Sequence, residues 1–476
     1  MKNPILSTLL DTDSYKLPQW LQYPPGTTGM MSYFESRGGR WPYTIFFGLQ
    51  YYLKKYLTQR VTLDQVEEAK QFAEAHGEPF NYAGWKRIAT TLKGKLPVKI
   101  KAVPEGSIIP VSNVLLTIES TDSESFFVVG WLETLLVRLW YPITVATNSY
   151  VVKQTIKQAL ESTSEAEDIT PILNFSLHDF GSRGATSQES AMIAGAAHLV
   201  NVMGSDNIAG VWMANQYYDI PMAGFSIPAS EHSTMSMWGK DNEREAFKNM
   251  IKQYGHLPIF ACVSDTWDIY NAAENLWGGD LKSEVEKMNA TLVVRPDSGD
   301  PVRVVLDLLS ILGSKFGKVT NLKGKDVLKH VKIIQGDGNT PNVIAKTLQE
   351  MSLHGWAAEN VAFGMGGGLL QTNLDRDTQK FAFKCCAATV NGKDIKVYKD
   401  PYHKEFGKTS KAGRLDLRVD KAGNVVTVQE SFKGMTSLLH TVYEDGELVN
   451  TTTFDEVRER ANKAPYNPYA MHLGGI

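Results

Sequence analysis

Short apolar runs, each ending in a cluster of charged and turn-forming residues, dominate the middle of the chain. The clearest is Thr291 to Val294, which stops at Arg295-Pro296-Asp297-Ser298-Gly299-Asp300. So short an apolar, β-branched run reads as a strand covered on both faces. Pro296 then removes a ladder donor and Ser298-Gly299 supplies a turn, leaving Arg295 and Asp297 at the strand's C-terminal end. The same pattern predicts strands at Ile172 to Phe175, before His178-Asp179-Phe180-Gly181-Ser182-Arg183, at Ala209 to Met213, and at Phe225 to Ile227, before Glu231-His232. It predicts others at Ile259 to Val263, before Ser264-Asp265-Thr266-Trp267-Asp268, at Val331 to Ile334, before Gly336-Asp337-Gly338, and at Val361 to Phe363, before Gly364-Met365-Gly366-Gly367-Gly368.

Between these runs apolar residues recur three and four apart, as in Ala246, Phe247, Met250, Ile251 and Tyr254, or Val305, Leu306, Leu308, Leu309 and Leu312. These are amphipathic helices. Strand, polar loop and helix repeating every 30 residues or so (~30) is the pattern of a parallel barrel, whose chemistry gathers at the C-terminal strand ends.

The flanks read differently. Met30 to Phe34 predicts a strand, 46–57 and 62–76 predict helices, and Val98 to Glu119 alternates as paired antiparallel strands do. Phe126 to Tyr141 is either a core helix or an oligomer contact, 149–160 is helical, and a polar stretch closes this segment at Asp168. Phe381 to Val390 supplies a further strand, followed by short strands with turns at Asn391-Gly392 and Ala422-Gly423-Asn424. The expected fold is α/β, an irregular (β/α) TIM-like barrel over 169–384. A second, smaller α+β domain is built from 1–168 and 385–476, since short strands need partners to be stable.

Composition narrows the function. Over 476 residues, 49 Lys and Arg against 52 Asp and Glu give a net charge of −3, so neither nucleic acid nor another polyanion is indicated. Cys262, Cys385 and Cys386 form no disulfide framework and no zinc-ligand spacing. The sequence shows no membrane-length apolar stretch and no signal-peptide core near Met1. A cytoplasmic protein that contacts neither membrane nor nucleic acid is expected.

The glycine run 364–368 frees backbone N–H groups to cradle a phosphate, although a tight turn also uses glycine. Asp337 between two glycines suits either a ribose diol or an Asx turn. Of Asp265, Asp268, Asp297 and Asp300, some suit a hydrated Mg²⁺ shared with substrate phosphates and others suit helix caps. Arg37 and Arg40, beside Gly38-Gly39, could meet a phosphate or form an exposed basic loop. Together these residues describe a phosphorylated sugar substrate.

Motifs spread along the whole chain carry a resemblance: Asp13-Ser14-Tyr15-Lys16, Ser32-Tyr33-Phe34-Glu35-Ser36-Arg37, His178-Asp179-Phe180-Gly181-Ser182-Arg183-Gly184, Glu231-His232-Ser233, Ser264 to Tyr270, Arg295-Pro296-Asp297-Ser298-Gly299, Gly336-Asp337-Gly338 and Gly364 to Gln371. In this order they resemble the nicotinamide phosphoribosyltransferase family of type II phosphoribosyltransferases, from about residue 10 to about residue 460. The resemblance implies a homodimer with shared active sites, making nicotinamide mononucleotide and pyrophosphate from nicotinamide and phosphoribosyl pyrophosphate. It implies that Phe180 stacks on the pyridine ring opposite Tyr15 of the partner subunit. Arg183 and Ser264 contact the carboxamide oxygen, and Asp206 accepts from the amide nitrogen while repelling a carboxylate. Arg295 and Asp337 contact the sugar beside Gly336, Asp297 lies near the reacting carbon, and Gly366 and Gly367 receive the 5′-phosphate. Arg37, Arg376, Lys384 and Lys411 surround the phosphate and pyrophosphate from the partner. Mg²⁺ assists at Asp268 and Asp297, directly or through water, and both count with Arg295 and His232 as the catalytic set. ATP is the implied co-substrate or activator, phosphorylating His232.

Three departures stand out: Ser182 where the family often has an aromatic, Met365 inside the glycine run, and one extra residue before Arg376. The neighbouring readings are a nicotinate phosphoribosyltransferase, in which Asp206 would point elsewhere, and a non-catalytic nucleotide sensor, which intact Arg295, Asp297 and Arg376 oppose. A barrel aldolase or isomerase would want a lysine or a paired acid and base at the strand ends, and the strand-end loops offer no such lysine.

Overall fold

A computed structural model describes residues 6–400, 402, 410–432 and 436–463. Lys408, part of the basic run before Arg414, lies outside them. The chain divides into two units: Met1–Thr147, Gln216–Ile220 and Leu374–Ile476 form the first, Asn148–Asn215 and Pro221–Asn373 the second. The division falls inside the helix Trp140–Thr163, where no polar linker marks it.

The first unit contains a seven-stranded sheet in the order Lys393–Lys396, Phe381–Val390, Thr27–Ser36, Val114–Ser120, Val98–Ala102, His440–Glu444, Glu447–Leu448. Every pairing in it is antiparallel. Phe381–Val390 therefore belongs here, paired with Thr27–Ser36 through Tyr33 opposite Lys384. The second unit spans Asn148–Asn215 and Pro221–Asn373, beside the expected barrel segment 169–384, and in this sheet Phe34 stacks on Phe381 at 5.3 Å.

The second unit is a curled parallel sheet flanked by helices. Its strands are β1 (Leu177–Asp179), β2 (Gly204–Ser205), β3 (Ile259–Val263), β4 (Thr291–Arg295), β5 (Val331–Gln335) and β6 (Val361–Met365), in the order β2-β1-β6-β5-β4-β3. The segment 225–229 bridges β2 at Phe225–Gly204 and β3 at Ala229–Ala261, both in the parallel sense, so it touches both sheet edges. Ala261, Val293 and Ile334, on three neighbouring strands, pack together; the helix Pro301–Phe316 buries the apolar stripe its periodicity predicts, and Pro341–Leu353 buries Ile344, Leu348 and Met351.

Two expected strands are helical instead. Thr170–Leu173 forms a helical turn opened by Pro171, and Ile208–Tyr218 is a helix whose Gly210 lies against Gly195 of the helix Gln188–Leu199. A Cβ on Gly195 would stand 2.9 Å from the Gly210 Cα, so small residues in that apolar run serve helix packing, not a strand. The true strands, β1 and β2, are shorter and include His178, Asp179 and Ser205.

Candidate active site

The C-terminal ends of the parallel strands surround a cavity of about 710 Å³. Phe180 and Arg183 follow β1, Asp206 follows β2, Glu231 and His232 follow the 225–229 segment, Arg295 and Asp297 end β4, Gly336 and Asp337 follow β5, and Gly366 follows β6. Nine residues expected in the site thus meet in one unit: Phe180, Arg183, Asp206, His232, Arg295, Asp297, Gly336, Asp337 and Gly366. Gly367 opens the helical turn Gly367–Leu370 beside them.

Phe180 is held flat by what is missing beneath it. A Cβ on Gly364 would come within 2.1 Å of its Cε2, so only glycine lets β6 carry the ring. The Phe180 backbone N–H donates to Met365 O at 2.9 Å, and the Arg295 guanidinium lies 5.4 Å from the ring centroid. Arg295 in turn donates to Asp297 Oδ1 through Nη2 at 2.7 Å.

Asp206 faces the same cavity with one oxygen occupied: the Ser226 hydroxyl donates to its Oδ1 at 2.6 Å. Behind it, buried Asp179 accepts from the Gly181 N–H at 2.7 Å and from Asn207 Nδ2 at 2.9 Å. Burial pushes the Asp179 carboxyl up to about 6 against these hydrogen bonds, and the Asp206 charge pushes in the same direction as burial. His178 is buried with Nε2 at 2.9 Å from Phe175 O, and desolvation lowers its pKa, in keeping with a structural ring.

On the opposite side His232 Nε2 lies 2.9 Å from Asp265 Oδ1, and Nδ1 lies 3.8 Å from Asp297 Oδ2. Asp265 Oδ2 accepts from the Asp297 N–H at 3.0 Å and from the Ser298 hydroxyl at 2.6 Å.

Two expected members stand elsewhere. Ser264 is fully buried, its Oγ donating to Cys262 O and accepting from Trp277 Nε1, each at 3.0 Å, so its hydroxyl is committed away from the cavity. Asp268 caps the helix Ile269–Asn271 through the Tyr270 and Asn271 N–H groups, and it is not among the residues lining the cavity. Among the described residues no cluster of three or more His, Cys, Asp or Glu is arranged to hold a metal ion. Asp297 and Asp337 suit only a cation whose remaining ligands come from phosphates and water.

Residues 175–447 match the sequence model of the nicotinate phosphoribosyltransferase (NAPRTase) family. The chain belongs to that family. Residues 7–100 match the N-terminal domain of nicotinamide phosphoribosyltransferase. The chain is 49% identical over 463 residues to the nicotinamide phosphoribosyltransferase of Xanthomonas campestris pv. campestris, covering 96% of this chain and 98% of that one. In fold it is similar to the nicotinate-nucleotide pyrophosphorylase of Pyrococcus furiosus, with TM-score 0.60 at 17% identity over 97% of each chain. It is also similar to human nicotinic acid phosphoribosyltransferase, with TM-score 0.56 at 18% identity over 94% of this chain and 92% of that one.

The other residues expected in a phosphoribosyltransferase site lie in the first unit. Glu35, buried on Thr27–Ser36, accepts from Arg37 Nε at 2.9 Å and pairs with the Lys411 ammonium. Lys384 is pulled below the ordinary lysine range by burial and by the charges of Arg37, Arg376 and Lys16, against Glu133. These cations form one basic cluster. Tyr15 is 58% exposed, although its neighbours are tied down: Asp11 to Arg138 at 2.7 Å, Asp13 to Thr134 at 2.7 Å and Lys16 to Glu133 at 2.8 Å.

Asp179 and Ser226 are the members to which motif reading gave no role; Asn207, which donates to Asp179, and Asp206, which accepts from Ser226, lie on other loops. Asp265, named among the carboxylates for Mg²⁺ or helix caps, pairs with His232.

Proposed function

We propose that the chain is a nicotinamide phosphoribosyltransferase, transferring the phosphoribosyl group from phosphoribosyl pyrophosphate to nicotinamide with release of pyrophosphate. One observation carries the choice of nicotinamide: Asp206 lines the cavity with Oδ1 held by Ser226, which leaves Oδ2 to accept from a carboxamide N–H. A carboxylate in that position repels nicotinate. The 49% identity to the Xanthomonas enzyme over nearly the full chain supports the same reading.

In this mechanism Phe180 stacks on the pyridine ring, and Arg183 meets the carboxamide oxygen. Arg295 and Asp337 hold the ribose, and the Gly366-Gly367 turn takes the 5′-phosphate. The ring nitrogen attacks C1 as the C1–O bond to pyrophosphate breaks, through a transition state with oxocarbenium character. Asp297 faces the growing positive charge, so the acceleration comes from alignment and electrostatics without a covalent enzyme nucleophile. Mg²⁺, held mainly by the substrate's phosphates and through water by Asp297, would neutralise charge on the leaving group.

The exposed Tyr15 and the cluster of Arg37, Arg376, Lys384 and Lys411 complete the site of a partner subunit in a homodimer, where they close the ring slot and bind the phosphates. ATP phosphorylates His232 and so drives product formation. The segment 225–229 completes an irregular (β/α) barrel, with the antiparallel unit as the α+β domain; that unit is the larger of the two, not the smaller one expected. No helix among the described residues is long and apolar enough to cross a membrane. Three free thiols, with Cys262 pushed up to about 12 by burial, suit a reducing cytoplasm.

Purified protein given Mg²⁺, phosphoribosyl pyrophosphate and nicotinamide is expected to yield nicotinamide mononucleotide and pyrophosphate in equal amounts. Absence of both products would overturn the reading.

A further inference from the structure

We propose that Asp179 is a positioning residue that determines ring specificity, because its carboxylate ties the loop carrying Phe180 to the loop carrying Asp206. The inference rests on the reading that the ring lies on Phe180 with its amide toward Asp206.

The two oxygens of Asp179 divide between the two loops. Oδ1 accepts from the N–H of Gly181, the residue after Phe180, at 2.7 Å, and Oδ2 accepts from Nδ2 of Asn207, the residue after Asp206, at 2.9 Å. The backbone repeats the tie, since the Asp206 N–H donates to Asp179 O at 3.0 Å beyond the β1–β2 pairing of Asp179 with Ser205. Asn207 is itself fixed: its N–H donates to Ser205 Oγ at 3.0 Å, Nδ2 donates to Ala191 O at 2.9 Å, and Oδ1 accepts from the Gly210 N–H at 3.2 Å. Asp179 therefore hangs the Phe180 loop on a rigid anchor that also carries Asp206.

A turn needs one acceptor, which asparagine or serine would supply without burying a charge. A carboxylate is required only where both donors must be met at once. An amide here would turn its NH₂ toward one of the two N–H groups and leave that donor unpaired. The separation between the aromatic face and the amide acceptor is thus set by one fully buried side chain. Sub-ångström changes in that separation act on the ring substrate and leave the phosphates untouched.

The test is steady-state kinetics of Asp179→Asn with nicotinamide, nicotinate and phosphoribosyl pyrophosphate, beside Asn207→Ala and Asp206→Ala. For Asp179→Asn the KM for nicotinamide is expected to rise about tenfold, with a smaller fall in kcat. The KM for phosphoribosyl pyrophosphate should stay within about twofold, and the nicotinamide-to-nicotinate ratio of kcat/KM should fall about tenfold. Asn207→Ala should move the same quantities in the same direction, and the double variant should add little, because both break one link. It serves as the test if Asp179→Asn fails to fold. An unchanged ratio in both variants, or an equal loss with both ring substrates, overturns the proposal while Asp206→Ala still shifts the ratio. If Asp206→Ala leaves the ratio unchanged, the underlying reading of the ring site fails first, and the proposal with it.

Discussion

Asp265 joins two loops of the cavity by taking His232 Nε2 on one carboxylate oxygen, at 2.9 Å, and the Asp297 N–H on the other, at 3.0 Å. A carboxylate oxygen only accepts, so this contact turns an Nε2–H toward Asp265 and leaves Nδ1, 3.8 Å from Asp297 Oδ2, as the nitrogen to take the phosphoryl group in the proposed reaction with ATP. Asp265→Asn should lower incorporation of label from γ-labelled ATP at least tenfold, and His232→Asn should abolish it. Acid-labile protein-bound phosphate is the readout; equal labelling of all three proteins would remove His232 from the reaction with ATP.

Gly364 tests the ring slot. Since a Cβ there would lie 2.1 Å from Phe180 Cε2, Gly364→Ala must displace the ring or bend β6. A loss of about 1 to 3 kcal/mol in unfolding free energy is expected, with a raised KM for nicotinamide. Denaturant titration and initial-rate kinetics measure the two; a variant with wild-type values in both would show that Phe180 is free to move.

Glu243 gives a pH dependence with a defined sign. It is 6% exposed, Oε1 has no hydrogen-bond partner among the described residues, and burial with the nearby Asp268 charge raises its pKa from 4.5 to about 7. Between those values the folded protein keeps a proton that the unfolded chain has lost, so this group's contribution to stability declines as pH rises from 4.5 to about 7. Above that range the penalty is complete. Glu243→Gln cannot ionise and should be more stable than wild type at pH ~8, by about 1 to 3 kcal/mol, with the gain vanishing near pH ~4. Chemical denaturation at the two pH values checks it; a pH-independent difference would contradict the buried-acid account.

Tyr15 allows the shared site to be tested by complementation. Tyr15→Ala and Phe180→Ala homodimers should each be weak, whereas a subunit-exchanged mixture contains mixed dimers with one intact site. Activity should recover to about a quarter of wild type, because about half the dimers are mixed and one of their two sites is whole. No recovery after exchange, with mixed dimers verified by mass, would place Tyr15 and Phe180 in the same subunit's site or remove Tyr15 from catalysis.

The strands that carry the chemistry were readable where short apolar runs end in turn residues, as at Thr291–Arg295, Ile259–Val263 and Val361–Met365. Ile172 to Phe175 and Ala209 to Met213 deceived because a short apolar run looks alike in a buried strand and a buried helix. The real strands there contain His178, Asp179 and Ser205, and their pairing partners are distant in sequence. The site followed the same rule. Position at or just past an obvious strand's end brought Arg295 and Asp337 into view, and both line the cavity, while their roles came from the resemblance. Whether a polar side chain faces the cavity depended on partners from other elements: Trp277 takes up the Ser264 hydroxyl, and the His232 loop engages Asp265.

The most direct test is a competition: nicotinamide and nicotinate at equal concentration in one vessel, with the purified protein, Mg²⁺ and limiting phosphoribosyl pyrophosphate, and both mononucleotides measured. Nicotinamide mononucleotide should exceed the nicotinate product by at least a hundredfold (~100), and Asp206→Ala should narrow that ratio. Nicotinate mononucleotide as the major product would contradict the role given to Asp206 and the function built on it.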